Sequence, residues 1–299
     1  MALARMFPEY SRTRLKDWLS QGLVTVDGRP MRPRDAVAGG ERVILKAQPE
    51  QRVSSGPEAM ELSIVFEDDD LLVLDKPAGL VVHPGAGNLR GTLMNGLLHR
   101  WPSLEALPRA GIVHRLDKDT SGLLLVARTL ESHTQLVRQM GRREISRGYL
   151  AVCSGVLTAG GTIDAPIARH PVDRLRMTVR SNGKPAVTHY RVLERFSAHT
   201  LIKVGLESGR THQIRVHFAH IGHALLGDPV YGGRLAVPPG GAAAVTEVLR
   251  NFRRQALHAR QLAFAHPRSG DRLEVERPPP ADMQALIEAL RKHAAGTAR

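Results

Sequence analysis

The stretch from 111 to 127 constrains the fold most, because it sets a dense group of charges between two apolar runs. The short run at 112–113 and the longer run at 123–127 both lie beside glycines, which is typical of short buried strands. Between them lie an imidazole, a guanidinium, an ammonium, two carboxylates and two hydroxyls. Charges this close to a core cost desolvation energy unless each is paired. The stretch is therefore either a solvated turn or a functional site at a strand end.

Length and cysteine content set the broad class. The chain has 299 residues, which favours two domains. It has a single cysteine, Cys153, so an intramolecular disulfide is impossible and a reducing compartment is favoured. The sequence has neither an apolar run of about 18 residues nor a signal-peptide pattern at its start. We therefore expect a cytoplasmic protein with no membrane partner.

The charge balance predicts a polyanionic partner. Lys and Arg number 42 against 29 Asp and Glu, a formal net charge of +13. Such an excess favours binding to phosphate backbones. Aromatic residues make up only 4% of the chain, which argues against extended base-stacking platforms. Structured nucleic acid, with a base or two handled locally, fits this composition better.

Residues 1–46 predict a small basic unit. Leu15, Trp18 and Leu19 form the apolar stripe of a helix, and Asp27-Gly28 is a strong hairpin turn after a strand at 23–26. A basic face of this kind is either simply solvated or a binding surface. Its basic side chains include Arg12, Arg14, Lys16 and Arg29.

The segments 11–15 and 22–28 resemble the S4 RNA-binding domain. The resemblance implies that these four basic residues contact structured RNA. Residues 47–61 are polar, contain two prolines and have no periodicity, so we expect an interdomain linker there.

Residues 62–299 predict a second domain that is rich in strands. Strands outnumber helices and no strand–helix–strand rhythm is evident, so we expect an α+β fold with a largely antiparallel mixed sheet flanked by helices. The predicted strands include 147–152, 185–190, 200–204, 258–265 and 272–276. The predicted helices include 92–98, 130–140, one in the stretch from 209 with the apolar stripe Ile214, Phe218 and Ile221, and a C-terminal helix from about 282.

Asp117 carries the strongest candidate chemistry. A carboxylate acts as a nucleophile or a base, and a buried arginine partner keeps it ionised. Arg115 is close in sequence, and Arg215 comes from a distant helix and also needs a partner for its charge. Tyr149, on a strand, offers a nucleobase an aromatic face and a hydroxyl. Enzymes that act on a base within RNA extrude it, and the flat guanidinium of Arg115 suits the vacated space.

Two groups of residues raise the question of a metal. Of the histidines at 212, 217, 220 and 223, only 217 and 220 share a helix face, and arginines lie beside them. The aspartates at 68–70 are consecutive on a turn and should point in different directions. The sequence therefore predicts no metal site.

Several blocks, in the same order along the chain, resemble the RluA-type pseudouridine synthases. They are His114-Arg115-Leu116-Asp117 with Thr120-Ser121-Gly122, Arg147-Gly148-Tyr149 (more often Lys-x-Tyr in that family), Gly209 to His217, Asp75 to Leu80 and Gly227 to Gly232. The similarity covers nearly the whole chain. It implies an isomerase that converts uridine in RNA to pseudouridine without a cofactor.

The resemblance also implies roles for particular residues. Asp117 is expected to break the glycosidic bond, by attack on the sugar or through a glycal intermediate, and both routes stay open. Tyr149 is expected to contact the base and assist proton removal, and Arg215 to pair with Asp117. The side chains expected to bind substrate are Arg115, which would fill the vacated stack, His114, Arg210 and His212.

Among family members, the S4 module and the stretches at 82–88 and 109–113 look most like those that modify the helix 69 loop of 23S ribosomal RNA. The expected partner is thus large-subunit ribosomal RNA, free or in a pre-ribosomal particle, and the expected state is a monomer. The alternatives are a synthase acting on transfer RNA or another ribosomal site, and a non-catalytic RNA-binding assembly factor.

Overall fold

The computed structural model describes residues 3–7, 12–37, 39–46, 56–85, 87–238, 240 and 243–297. Its internal contacts divide the chain into two compact units, Met1–Ser54 and Ser55–Arg299. No helix within the described ranges is long and apolar enough to cross a membrane.

The first unit is built from short elements around a small core. Its elements are α1 (Leu3–Met6), α2 (Arg12–Ser20), β1 (Val24–Val26), β2 (Arg29–Pro30) and β3 (Val43–Leu45). The strands form an antiparallel sheet in the order β2-β1-β3. Leu15, Trp18 and Val24 are buried between helix and sheet. The predicted hairpin turn is confirmed, since Asp27 and Gly28 both take positive φ between paired strands.

The second unit is organised on one large mixed sheet. Its strands are β4 (Ile64–Glu67), β5 (Leu71–Lys76), β6 (Ser121–Ala127), β7 (Ser146–Ser154), β8 (Gly161–Asp164), β9 (Ile167–Arg169), β10 (Met177–Val179), β11 (Val187–Arg195), β12 (His199–Leu206), β13 (Leu257–Ala265) and β14 (Arg272–Glu276). Within the described residues, nine of them form a sheet in the order β4-β5-β6-β13-β7-β12-β11-β8, with β14 also on β13. Among the described strands, only β6 and β13 pair in parallel, and β9 and β10 form a separate hairpin.

Helices cover both faces of this sheet. They are α3 (Leu93–Arg100), α4 (Leu130–Gly141), α5 (Gln213–His220), α6 (Ala243–Asn251) and α7 (Ala281–Thr297). The predicted α+β class with a largely antiparallel sheet is confirmed, and the sequence had not indicated α6. α3 begins at a capping box in which Thr92 and Asn95 satisfy each other's backbone N–H groups.

The central strand β6 shows why its sequence is a continuous apolar run. Leu123 and Leu125 belong to a core beneath α4, whereas Leu124 and Val126 belong to the core on the opposite face. Both faces are buried, so alternation with polar residues is lost.

The strand expected at 112–113 is wrong. Ile112 makes only one isolated bridge, to Val126, because the preceding residues form a tight left-handed turn. Arg109 and Ala110 have φ values of 54° and 50°, and Gly111 has 77°. A Cβ on Gly111 would lie 2.0 Å from the carbonyl oxygen of Ala127, so the backbones approach too closely for a side chain.

The last residues of the predicted linker pack on the second unit. Residues 47–55 lie outside the described residues, but 56–61 pack on α3 and belong to the second unit. Asn95 Nδ2 donates to the carbonyl of Gly56 at 2.8 Å, and the Glu58 carboxylate accepts from Gly91 N at 2.8 Å. Met60 packs against the bare backbone of Gly96. This apolar contact and the two hydrogen bonds together hold the polar segment on the second unit.

Gly122 generates a stability prediction. It has φ +111°, and a Cβ there would lie 2.3 Å from the Ala259 carbonyl oxygen across the parallel β6–β13 pair. We expect Gly122→Ala to destabilise the protein by about 3 kcal/mol, from a strained φ plus a backbone clash. Gly270→Ala is the matched control, because Gly270 also has positive φ (+79°) but open space around it. Denaturant unfolding measures both, and equal losses would contradict the close-packing explanation.

Candidate active site

Asp117 lies in the loop that leads into β6, at the edge of a cleft of about 990 Å³. Its side chain is 15% exposed, and its Oδ2 accepts a hydrogen bond from Arg215 Nη1 at 3.0 Å. The structure therefore brings together the carboxylate and the distant guanidinium that the sequence singled out.

A buried lysine holds this loop in place. Lys76 Nζ donates to three main-chain carbonyls, those of Pro77, Leu80 and Lys118, at 2.8–2.9 Å. The Lys118 carbonyl also accepts from Gly79 N. The residue next to Asp117 is thus bound to the segment after β5, which limits how far the carboxylate can move.

Arg215 is anchored from its other side by Asp228. Its Nε and Nη2 donate to the two Asp228 carboxylate oxygens at 2.7 and 2.9 Å, and the Asp228 side chain has no exposed surface. Burial alone would lower the pKa of Arg215, but its hydrogen bonds and charge interactions with Asp228 and Asp117 raise it. The same guanidinium outweighs burial and lowers the pKa of Asp228. One arginine therefore stays charged between two carboxylates, and only Nη1 is turned to Asp117.

His212 and Tyr231 complete this wall. His212 is the residue just before α5 and has a left-handed backbone. Its Nε2 lies 3.9 Å from Asp117 Oδ1. Its Nδ1 lies 2.8 Å from the Tyr231 hydroxyl, and the Arg215 guanidinium lies 5.0 Å from the centre of the Tyr231 ring. Burial lowers the pKa of His212, so the ring is neutral at neutral pH.

Tyr149 forms part of the cleft from β7 and is 6% exposed. Burial raises the pKa of its phenol, so the hydroxyl keeps its proton at neutral pH. Its ring belongs to the same core as Ile214 and Leu116, next to the two polar groups Asp117 and Arg215. The cleft thus offers an apolar aromatic surface together with the Asp117 carboxylate.

The other predicted substrate-binding residues all line this cleft. Arg115 and Arg210 are exposed there, and Arg210 is tied to the Pro185 carbonyl at 3.2 Å. His114 lies deeper, and its Nε2 accepts a hydrogen bond from Leu125 N at 2.9 Å. Burial, and then the charge of Arg147, lower the pKa of His114 to about 3. His114 is thus a neutral ring that joins the loop to β6.

Of the basic residues expected to bind RNA in the first unit, Lys16 and Arg29 are exposed. The side chains of Arg12 and Arg14 lie outside the described part of the structure. Their helix, α2, is present over the range that the apolar stripe predicted.

Three residues of the site have no role predicted from the sequence: Asp228, Tyr231 and Arg147. All three lie in the family-like blocks, yet none received a role there. The sequence signal for Asp228 was the charge of Arg215. Asp117 was the one partner predicted for that charge, although a buried guanidinium has enough donors for two carboxylates. For Arg147 it was the position two residues before Tyr149 on one strand, which places both side chains on one face of the sheet.

The prediction that the aspartates at 68–70 point in different directions is wrong for Asp68 and Asp70. Asp68 and Asp70 converge with His266, their ligand atoms all within 4.8 Å of one another. Arg268 Nε lies 2.6 Å from the Asp70 carboxylate, and His266 Nε2 lies 3.0 Å from that of Asp68. These protein partners already account for the convergence. Among the clustered histidines, His217 is bonded on both nitrogens, to Thr188 and to the Ala165 carbonyl.

Comparison with known families agrees with this architecture. The S4 domain profile matches residues 1–43, and the RNA pseudouridylate synthase profile matches residues 70–220. In solved structures, the human RNA pseudouridylate synthase domain containing 4 has a TM-score of 0.61 and 26% identity, covering 77% of this chain and 93% of its own. The human domain containing 1 has a TM-score of 0.57 and 27% identity, covering 77% and 95%.

Relatives with higher identity align over almost the whole chain. The ribosomal large subunit pseudouridine synthase D of Pseudomonas aeruginosa is 55% identical over 289 residues, 97% of this chain and 90% of its own. The protein of that name from Xanthomonas campestris pv. campestris is 54% identical over 296 residues, covering 99% and 89%. The chain therefore belongs to the RNA pseudouridylate synthase family, the isomerases that convert uridine in RNA to pseudouridine.

Proposed function

We propose that this enzyme modifies uridines in large-subunit ribosomal RNA, in the helix 69 loop of 23S rRNA, with Asp117 as its catalytic carboxylate. The pairing of Asp117 with an anchored Arg215 inside a basic cleft carries the proposal. The names of the full-length relatives support the choice of RNA.

The reaction only rearranges bonds within one nucleotide. The bond from the anomeric carbon of the ribose to the ring nitrogen of uracil breaks, and a bond from the same carbon to carbon 5 of uracil forms. The proton on carbon 5 is lost and the freed nitrogen gains one, so neither an oxidant nor a second substrate is needed. Asp117 starts the sequence either as a nucleophile on the sugar or as a base that leads to a glycal.

The surrounding residues divide the remaining tasks. Arg215 fixes the orientation of Asp117, since two of the arginine nitrogens are held by Asp228 and a third bonds Asp117. Tyr149 presents its ring to the extruded base and its hydroxyl for proton transfer. Arg115, exposed at the cleft, fills the space that the extruded base leaves in the RNA stack. Arg210, His114 and His212 contact the substrate from the cleft wall.

Two alternatives are separated by a map of the products. A synthase acting on transfer RNA or another ribosomal site would leave the helix 69 loop unmodified, and a non-catalytic assembly factor would modify no RNA. Sequencing pseudouridines in both rRNA and transfer RNA from cells with and without the gene distinguishes all three. A helix 69 loop that is unchanged by deletion would exclude the proposed site.

Asp117 gives the first activity prediction. Asp117→Asn keeps the shape but removes the charge, so we expect turnover to fall by about 10³-fold or more while RNA affinity is retained. Asp119→Asn, in the same loop, is the matched control and should stay active. Release of tritium from RNA carrying 5-tritiated uridine measures turnover. Substantial activity in Asp117→Asn would remove the catalytic assignment.

Asp228 gives a prediction with a pH dependence. Its folded-state pKa lies below the unfolded value of about 4, so its stabilisation is present above that pH and is lost as the pH falls through the folded pKa. Asp228→Asn should cost about 3 kcal/mol at neutral pH and should flatten the decline in unfolding free energy on acidification. It should also lower kcat, because Arg215 loses its anchor. An unchanged acid profile would contradict this role.

The S4-like unit gives a prediction about salt. Replacing the exposed Lys16 and Arg29 with glutamine should weaken RNA binding and lower the slope of log Kd against log salt by about 2, one for each lost phosphate contact. Lys292→Gln, on the exposed side of α7, is the control for a general loss of charge. A slope equal to that of the wild type would mean that these two residues do not touch phosphate.

A further inference from the structure

Arg147 is a largely buried cation for which the described residues supply no partner. The residue is 8% exposed, and among the residues that the structure describes it makes neither an ion pair nor a hydrogen bond. Its Nε is sealed from solvent and unbonded. Arg215, in the same cleft, has three hydrogen bonds to two carboxylates. A charge left in this condition is costly, and proteins retain one only where something else compensates it.

The position of Arg147 is well defined despite this lack of bonds. It lies on β7 between β12 and β13, two residues before Tyr149 and on the same face of the sheet. Its Nη1 lies so close to Gly209 that a Cβ on that glycine would be 2.8 Å away. Packing therefore holds the guanidinium against the cleft that receives the substrate.

A second unused donor lies in the same part of the cleft wall. Leu125 N donates to Nε2 of His114, so the neutral ring carries its proton on Nδ1. That Nδ1 is buried and has no partner within the described ranges. Nε of Arg147 and Nδ1 of His114 are both closed to solvent and lack an acceptor within the described ranges, so any contact with a ligand in the cleft falls to the terminal nitrogens of Arg147.

The carboxylates that line the cleft are not available to Arg147. They are Asp117 and Glu207, and both are already paired. Asp117 is bonded to Arg215, and Glu207 is paired with Arg143 and His189. Within the part of the chain that the structure describes, no carboxylate remains for Arg147, which leaves a group of the substrate as its partner in the cleft. A carbonyl of uracil is neutral and would leave the charge uncompensated, whereas a phosphodiester supplies both charge and oxygen acceptors.

We propose that Arg147, through the terminal nitrogens of its guanidinium, binds the phosphodiester of the target nucleotide. The proposal rests on RNA being the substrate of this cleft. Binding there fixes the backbone of the extruded nucleotide while Tyr149 contacts its base. A fork-shaped guanidinium suits this task better than a lysine, because it can bond two phosphate oxygens at once.

The first test separates substrate binding from a structural role. Arg147→Met keeps the apolar stem and removes a charge that is unpaired in the free protein, so the melting temperature should stay the same or rise. RNA affinity should fall by about 30-fold or more, because the phosphate loses its charged partner. Arg260→Met, which removes an exposed pair with Glu276, is the control and should bind RNA like the wild type. A melting temperature lowered by several degrees with unchanged affinity would overturn the proposal.

The second test changes the substrate instead of the protein. Helix 69 stem-loop RNA is made with a neutral methylphosphonate at the phosphates flanking the target uridine. The wild type and Arg260→Met should lose about 30-fold in affinity on this RNA, Arg147→Met should lose almost nothing more, and Arg147→Lys should be intermediate. A loss in Arg147→Met as large as in the wild type would refute the contact.

These measurements also separate this proposal from that of the RNA substrate. Unmodified stem-loop and wild-type protein report whether helix 69 is a substrate at all, through tritium release. The affinity comparisons report on Arg147 whether or not turnover occurs. If helix 69 RNA binds no better than an unrelated stem-loop, the ribosomal assignment fails. The effect of the charge at Arg147 on affinity is then measured with the unrelated stem-loop carrying the same neutral phosphates.

Discussion

The charge balance around Arg215 is the interaction on which the site depends. A guanidinium that is nearly excluded from water is tolerated because Asp228 takes two of its nitrogens and Asp117 takes a third. Asp228 has no exposed side-chain surface, so it acts as a fixed support, and Asp117 keeps 15% exposure toward the cleft. The same ion cluster therefore does two things: it holds α5 and the loop after it together, and it orients the Asp117 carboxylate toward the cleft.

The large sheet makes that orientation rigid. β6 is buried on both faces, and the loop before it is attached to neighbouring segments by Lys76, whose ammonium binds three carbonyls, and by His114, which accepts from the backbone of β6. Neither side chain is in the chemistry as proposed through Asp117. Their effect is to remove freedom from a short irregular loop, which is the form of preorganisation that electrostatic catalysis requires.

Two arginines in one cleft differ in a way that bears on function. Arg215 is paired with Asp228 and Asp117 within the protein, so it orients the site even when no substrate is bound. Arg147 is buried without an acceptor among the described residues. In the proposed role, its charge is paired only when RNA is bound. Leaving a binding group unpaired lowers the stability of the free protein and raises the contribution of that group to substrate binding, which is a common cost of functional sites.

The sequence by itself determined the elements with strong local signals. The apolar run of β6, the turn at Asp27-Gly28 and the placement of Asp117 at a strand end were predictable because periodicity and turn chemistry are local properties. The tertiary structure decided the rest. It placed 112–113 after a left-handed turn and packed Met60 against α3. It also brought Asp68 close to Asp70 and anchored Arg215 on Asp228. Whether a charge is paired depends on distances of a few ångströms between segments far apart in sequence, and only packing sets those distances.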